Sequence, residues 1–353
     1  MRGSKVLSFK DFCMKLKIWE RVLLYKSLLL RLLRWYKHEF FSWTSSPRCD
    51  HCHSTATKIV GSAKPLPEEE HFHASQVEIA QCSACGQQTR FPRYNDPAKL
   101  LETRTGRCGE WANCFTLLCR SLGYEARHVH DWTDHVWTEI YSDSEQRWLH
   151  VDSCEAAFDS PLMYEKKGWG KKLTYCVGFA RDHVVDVTRR YTHKFEELLS
   201  RRTACTEKEL GQALFALSEF AIDRCLTQYP DIIQSERRKL LAHRASEEET
   251  QLAPVATRNT KPEEEVGRTS GDAAWRQQRG ELGANEAAKQ KALECSETGL
   301  DGAEAHTRSS ESNAGCSSAD AQALIRSRVA KLVASGLTAN DALLKVLADA
   351  KKG

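Results

Sequence analysis

The stretch Gly106-Arg107-Cys108-Gly109-Glu110-Trp111-Ala112-Asn113 decides how the 353-residue chain is read. It opens a segment in which Cys114, Phe115, Leu117, Leu118 and Leu122 recur on one helical face, and Gly123 can end that helix. Cys108 therefore falls at a helix N-terminus. Unpaired N–H groups and the positive end of the helix dipole favour a thiolate there, and the same N–H groups can donate to an oxyanion. Further along, His135 heads the alternating segment Asp134–Ile140, which predicts a strand. Trp148-Leu149-His150-Val151-Asp152 predicts the next strand, with Ser142, Asp143 and Ser144 in the turn between them. On neighbouring antiparallel strands His135 and Asp152 can sit side by side. A thiol, an imidazole and a carboxylate so arranged make a complete nucleophile, base and orienting group.

A plainer reading stands beside this one: most cysteines are inert core and most histidines are satisfied structure. Cys114, Cys119, Cys154, Cys176, Cys205 and Cys225 are placed in that class. Cys108 differs in its following glycine and its polar helix start. His128, His130, His150 and His183 compete with His135, but none stands at the head of so clear a strand.

Cys49-x-x-Cys52 and Cys82-x-x-Cys85 form a second constellation. Two intervening residues let both thiolates of a tight turn face one ion, and two such turns complete a tetrahedral four-sulfur shell that suits zinc. His51, His53, His71 and His73 lie nearby, but four cysteines already close the shell. A closed shell leaves no position for substrate, so one structural Zn2+ is expected.

Composition narrows the function classes. Lys plus Arg number 51 and Asp plus Glu 48, a net charge of +3, which gives no strong field for nucleic acid. No run of about 18 uncharged apolar residues occurs, so stable membrane insertion is not expected. The 14 cysteines sit in a long, charge-rich chain with no N-x-[ST] acceptor, which points to a reducing compartment.

The organisation read from the sequence is α+β. Residues 1–45 are expected to form N-terminal helices packed on the core, with Lys10, Lys15, Lys17, Arg21, Lys26, Arg31, Arg34 and Lys37 as a solvated face. Residues 46–95 form a zinc-binding lobe, 96–200 the catalytic core and 201–243 a helical extension. From 244 to 319 aromatic residues nearly vanish, and this stretch is expected to be a disordered linker. Residues 320–350 regain helical periodicity as a hairpin that either docks on the core or recognises a partner.

Three segments together, Gly106–Asn113, Asp134–Glu139 and Trp148–Glu155, resemble the cytoplasmic peptide:N-glycanases of the transglutaminase-like superfamily. The paired Cys-x-x-Cys motifs and Leu-Leu-Arg-Trp-Tyr-Lys-His-Glu-Phe-Phe-Ser-Trp at 32–43 look like that family too, and the resemblance covers about residues 20 to 200. It implies a papain-like core with an inserted four-cysteine zinc lobe. It also implies Cys108 as nucleophile, His135 as base and Asp152 as orienting carboxylate. The implied reaction is hydrolysis of the amide between N-acetylglucosamine and an asparagine side chain of misfolded N-glycoproteins. That reaction converts Asn to Asp through a thioester, in the service of ER-associated degradation. Trp111, Trp132, Trp137 and Glu155 are expected at the sugar, with core packing as the competing reading of Trp132 and Trp137. Ser153 departs from the proline that many relatives carry there. The implied location is the cytoplasm, with the nucleus as a second compartment, and proteasome or ubiquitin-shuttle proteins are the implied partners.

Two other readings stay open. A protein transglutaminase shares the triad but passes the thioester to lysine, and the preceding zinc pair argues against it. A non-catalytic, DNA-binding scaffold of the same superfamily would carry a decayed triad, whereas all three residues are present here.

Overall fold

The computed structural model describes residues 25–166, 169–252 and 259–282, in two compact units. The first takes in the described residues up to Ala126 together with Ile140–Asp159; the second takes in Arg127–Glu139 and the described residues from Ser160 onward. Residues 1–24 and the expected hairpin at 320–350 lie outside the described residues.

The first unit starts with helix α1 over residues 25–35, continued by a π-helical turn at Tyr36–Phe40. Leu29, Leu33 and Tyr36 recur every three or four residues and are buried. They join Phe41, Leu100, Phe115, Cys119, Ile140 and Val151 in one hydrophobic cluster. Strand β1 (Ser42–Trp43) follows, then the lobe made by β2 (Thr57–Ala63), α2 (Pro67–Glu70), β3 (Val77–Cys82) and β4 (Gln88–Pro92). Its three strands form an antiparallel sheet in the order β2-β3-β4, with a bulge between Ile59 and Gly61.

Helix α3 (Pro97–Thr103) is started by Asp96, whose carboxylate accepts from the N–H groups of Ala98 and Lys99 at 2.7 and 3.0 Å, with Pro97 in the first turn where no N–H is needed. It ends at Arg104, which takes the left-handed conformation (φ 51°). Strand β5 (Thr105–Gly106) then pairs in parallel with β1 and leads into α4 (Cys108–Ser121). Beyond it come β6 (Ala126–Asp131), β7 (His135–Ser142), β8 (Arg147–Asp152) and β9 (Ala157–Phe158). In this unit β8 lies between β7 and β9, with Val151 opposite Phe158.

The second unit adds β10 (Cys176–Phe179), β11 (Val184–Asp186), α5 (Phe195–Leu199), α6 (Glu207–Leu226), α7 (Asp231–Leu252) and α8 (Ala273–Gln278). Its strand order is β11-β10-β6-β7, and β10 is antiparallel to both of its neighbours. Thr206 caps α6 reciprocally: its hydroxyl accepts from Glu209 N–H at 3.2 Å, and Glu209 accepts from Thr206 N–H at 2.9 Å. Leu210, Ala213, Leu214 and Leu217 form the buried stripe of that helix and pack on Tyr175, Val177, Phe179 and Val184 of the sheet. Each large side chain so buried contributes roughly 1.5–3 kcal/mol.

Within the stretch 244–319 read as a disordered linker, residues 244–252 and 259–282 are structured, and the others lie outside the described residues. Helix α7 runs through to Leu252, and residues 259–282 are folded, with Glu264, Arg268 and Glu281 buried. The composition is poor in apolar residues, but what is buried here is polar and satisfied, Arg268 by Glu281 and Glu264 by backbone N–H groups, which a scan for apolar content does not register.

Candidate active site

The two cysteine pairs form twin turns. His53 N–H donates to the Cys49 carbonyl at 2.9 Å, and Gly86 N–H to the Cys82 carbonyl at 2.9 Å. The fifth residue of each turn takes the left-handed conformation, His53 at φ 58° and Gly86 at φ 74°. His53 is thereby a turn residue. The four sulfurs converge, all within 4.8 Å of one another, with Cys49–Cys85 and Cys52–Cys82 at 3.5 Å. A tetrahedral zinc thiolate site has metal–sulfur bonds near ~2.3 Å, hence sulfurs roughly 3.8 Å apart, so this donor set fits such an ion. Backbone N–H groups of Cys85 and Ala84 draw the Cys82 thiol down to about 6. The Gln87 N–H favours the Cys85 thiolate, but burial and the neighbouring sulfurs push that thiol up to about 12. Crowded sulfurs competing for one negative charge are the arrangement that a cation relieves.

Cys108 is the first residue of α4, half-buried at the edge of the main cluster. The residue before it, Arg107, gives its backbone N–H to Glu110 at 2.9 Å. Gly106 is required by that closure, since a Cβ there would lie 2.5 Å from the Glu110 Cβ. Four charges alternate around the helix start. Arg107 forks onto Glu78 of β3 at 2.8 and 2.5 Å, and Arg93 forks onto Glu110 at 2.6 and 2.8 Å while reaching Glu78 at 3.0 Å. Burial pushes the Glu78 carboxyl up, but the two guanidiniums outweigh it and hold the group below the usual carboxylate range. The ring ties the start of α4 to the strand that ends in Cys82.

His135 is the first residue of β7 and is buried (1% exposed). Its ring lies 4.9 Å from Trp169, 5.4 Å from Tyr164 and 5.8 Å from Trp137, centroid to centroid. Asp152 is the last residue of β8, fully buried, and its Oδ1 accepts from the N–H groups of Cys154 and Glu155 at 2.8 and 3.3 Å. Those bonds fold the chain back after β8 and fix the carboxylate.

The aromatic residues expected at the sugar divide. Trp111 is buried against Tyr36, Phe41 and Trp43. Trp137 is fully buried, stacked on Tyr164, with its indole N–H donated to Tyr191 at 2.6 Å. Both rings are enclosed by aromatic neighbours. Trp132 and Glu155 are half-buried.

A charged core in the second unit escaped the sequence reading. Arg127 of β6 is fully buried and bonds Glu139 of β7 at 2.5 Å and Glu248 of α7 at 2.5 Å. Arg190 pairs with both Glu139 and Glu248. Glu139 in turn accepts from Tyr191 at 2.6 Å, and Tyr191 receives the Trp137 N–H. Gly178 leaves the space, since a Cβ there would sit 3.0 Å from Arg127 Nε. Nothing local in the sequence marks Glu248 as the partner of Arg127.

Residues 53–153 match the transglutaminase-like superfamily, and residues 127–220 match the Rad4 transglutaminase-like domain. A peptide-N(4)-(N-acetyl-beta-glucosaminyl)asparagine amidase of Yarrowia lipolytica is 41% identical over 266 residues, which cover 73% of this chain and 70% of that protein. The chain belongs to this amidase family. The Gallus gallus amidase is 48% identical over 259 residues, 73% of this chain, but only 38% of that longer protein is spanned. Rad4–Rad23 crosslinked to undamaged DNA matches 62% of this chain and 46% of its own at a TM-score of 0.35 and 14% identity, below the level at which a shared fold can be argued. Cys108, His135 and Asp152 all fall inside the segment that matches the transglutaminase-like superfamily. Among the described residues no helix is long and apolar enough to cross a membrane.

Proposed function

We propose that this chain is a peptide:N-glycanase that hydrolyses the amide between N-acetylglucosamine and the asparagine side chain of misfolded N-glycoproteins in the cytoplasm and nucleus, as part of ER-associated degradation. The observation that carries the reading is family membership together with the position of Cys108 at the first turn of α4. In this reading the Cys108 sulfur attacks the side-chain carbonyl carbon, and helix-start N–H groups stabilise the oxyanion. The carbon–nitrogen bond breaks as His135 delivers a proton to the departing glycosylamine, which later loses ammonia in water. A water molecule deprotonated by His135 then cleaves the thioester, leaving aspartate in the peptide and returning the thiol. Asp152, already anchored by two backbone N–H groups, orients the imidazole. Trp132 and Glu155 supply a ring face and an acceptor for the sugar.

Cys49, Cys52, Cys82 and Cys85 would hold the zinc ion, which contributes folding energy to the lobe and takes no part in bond breaking. Residues 320–350 are the candidate contact with proteasome or ubiquitin-shuttle proteins; a pull-down unchanged by deleting 320–353 would argue against that.

The test is incubation of wild type and Cys108→Ala with a denatured glycoprotein. Glycan release and a new aspartate are expected with wild type alone. Lysine crosslinks in place of aspartate would point to transglutaminase chemistry, and duplex DNA binding without glycan release would point to a scaffold.

A further inference from the structure

Residues 259–282 fold back onto the second unit and end beside the residue that precedes His135. Glu264, fully buried, anchors the segment by accepting the Leu162 N–H at 2.9 Å. Arg268 is 1% exposed, with its guanidinium between two indoles, 4.7 Å from the Trp169 ring and 4.4 Å from the Trp275 ring. Its Nη1 pairs with Glu281 at 2.8 Å. Glu281 also pairs with Arg279 at 3.0 Å, and Arg279 lies 4.8 Å from the Trp275 ring. From this base Arg279 reaches Asp134 twice, at the carboxylate Oδ2 (2.5 Å) and at the backbone carbonyl (2.9 Å).

That carbonyl belongs to the peptide bond that enters His135. Asp134 itself holds a left-handed conformation (φ 71°), a backbone state that non-glycine residues adopt only where the surroundings fix it. The same segment reaches His135 by a second route, since Trp169, with Arg268 4.7 Å from its ring, lies 4.9 Å from the imidazole. Backbone and ring of His135 are thus both referenced to one folded stretch more than 120 residues later in the chain.

We infer that Arg279 is a positioning residue for His135: by gripping the Asp134 carboxylate and carbonyl, it sets the turn from which the imidazole projects. The inference rests on the reading of His135 as the base. The Asp134 side chain is 74% exposed, so the ion pair as such adds little to global stability. Its effect is on the orientation of the base, where small misplacements are costly to rate.

The experiment compares wild type, Arg279→Ala and Arg279→Lys in the full chain, by steady-state deglycosylation, thermal melting and the NMR resonance of the His135 ring. Arg279→Ala should lower kcat about tenfold to a hundredfold at unchanged KM and shift the His135 resonance, in assays run well below a melting temperature that falls modestly through loss of the pair with buried Glu281. Arg279→Lys keeps one donor and the charge, and should recover part of kcat. The resonance reads the imidazole whether or not it performs chemistry, so the two readings fail separately. If His135→Ala retains full activity, the assignment of the base fails while the resonance still reports positioning. An unmoved resonance in Arg279→Ala overturns the inference. So does unchanged kcat in Arg279→Ala where His135→Ala is inactive.

Discussion

The guanidinium of Arg107, the residue immediately before Cys108, meets both carboxylate oxygens of Glu78 at 2.8 and 2.5 Å. A strand of the cysteine-bearing lobe and the start of the helix that presents the proposed nucleophile are therefore held together by one bidentate pair. Removing one partner leaves a largely buried charge uncompensated, at a cost of about 3–5 kcal/mol. Glu78→Gln is expected to lower the melting temperature and to lower kcat, both measured on the full chain. The Glu78 carboxyl is held below its ordinary value by Arg107 and Arg93 despite its burial. Its contribution to stability is therefore present above the unfolded carboxylate value of ~4.3 and fades as pH falls below it, so the gap in melting temperature between wild type and Glu78→Gln should narrow in acid.

Metal removal should act through the same connection. Elemental analysis is expected to find one zinc per chain, and a strong chelator should lower the melting temperature and then activity, in that order of sensitivity. Cys82→Ser should do both without chelator, because Cys82 closes the shell and also terminates β3. Acid should release the ion, since the sulfurs bind as thiolates. Zinc retained in full by Cys82→Ser would remove the four-sulfur assignment.

His135→Ala and Asp152→Asn should each lower kcat by about 10³–10⁴. Asn keeps the acceptor oxygen that the Cys154 N–H needs, so Asp152→Asn is expected to melt near the wild-type temperature. A large loss of stability in that variant would show that the carboxylate serves the fold first.

Glu248 offers a second acid signature. Burial raises its carboxyl, but Arg127 and Arg190 outweigh that and bring it down to about 2. Its contribution is complete above an unfolded value of ~4.3 and is lost progressively as pH falls toward 2. Glu248→Gln should destabilise the chain by about 3–5 kcal/mol at neutral pH, with the difference closing in acid melts.

The parts of the molecule that were legible in the sequence are those set by short-range pattern. The start of α4 at Cys108, the head of β7 at His135, the end of β8 at Asp152 and the convergence of Cys49, Cys52, Cys82 and Cys85 all follow from spacing and periodicity. Sequence proximity to Cys108 or His135 says nothing of which way a ring points, and Trp111 and Trp137 are both buried among aromatic rings. The folded stretch 259–282 was missed for another reason. Arg268 and Glu281 are buried as a pair, Arg268 against indole faces, and Glu264 by accepting backbone N–H groups, while their composition is that of a solvated segment. The Arg127–Glu248 pair spans 121 positions, and no local pattern can announce it.

The division of the chain at Ala126, Glu139 and Asp159 has a practical meaning for anyone who would dissect it. The polypeptide passes from one unit to the other and back before passing over for good, so neither can be isolated by a single cleavage. A fragment ending at Ala126 loses Ile140 and Val151 from the cluster that holds α1 and α4, and one beginning at Ser160 loses Arg127 and Glu139 from beneath Glu248. Expression of halves should therefore yield insoluble material, and a split protein should regain function only when both pieces are refolded together.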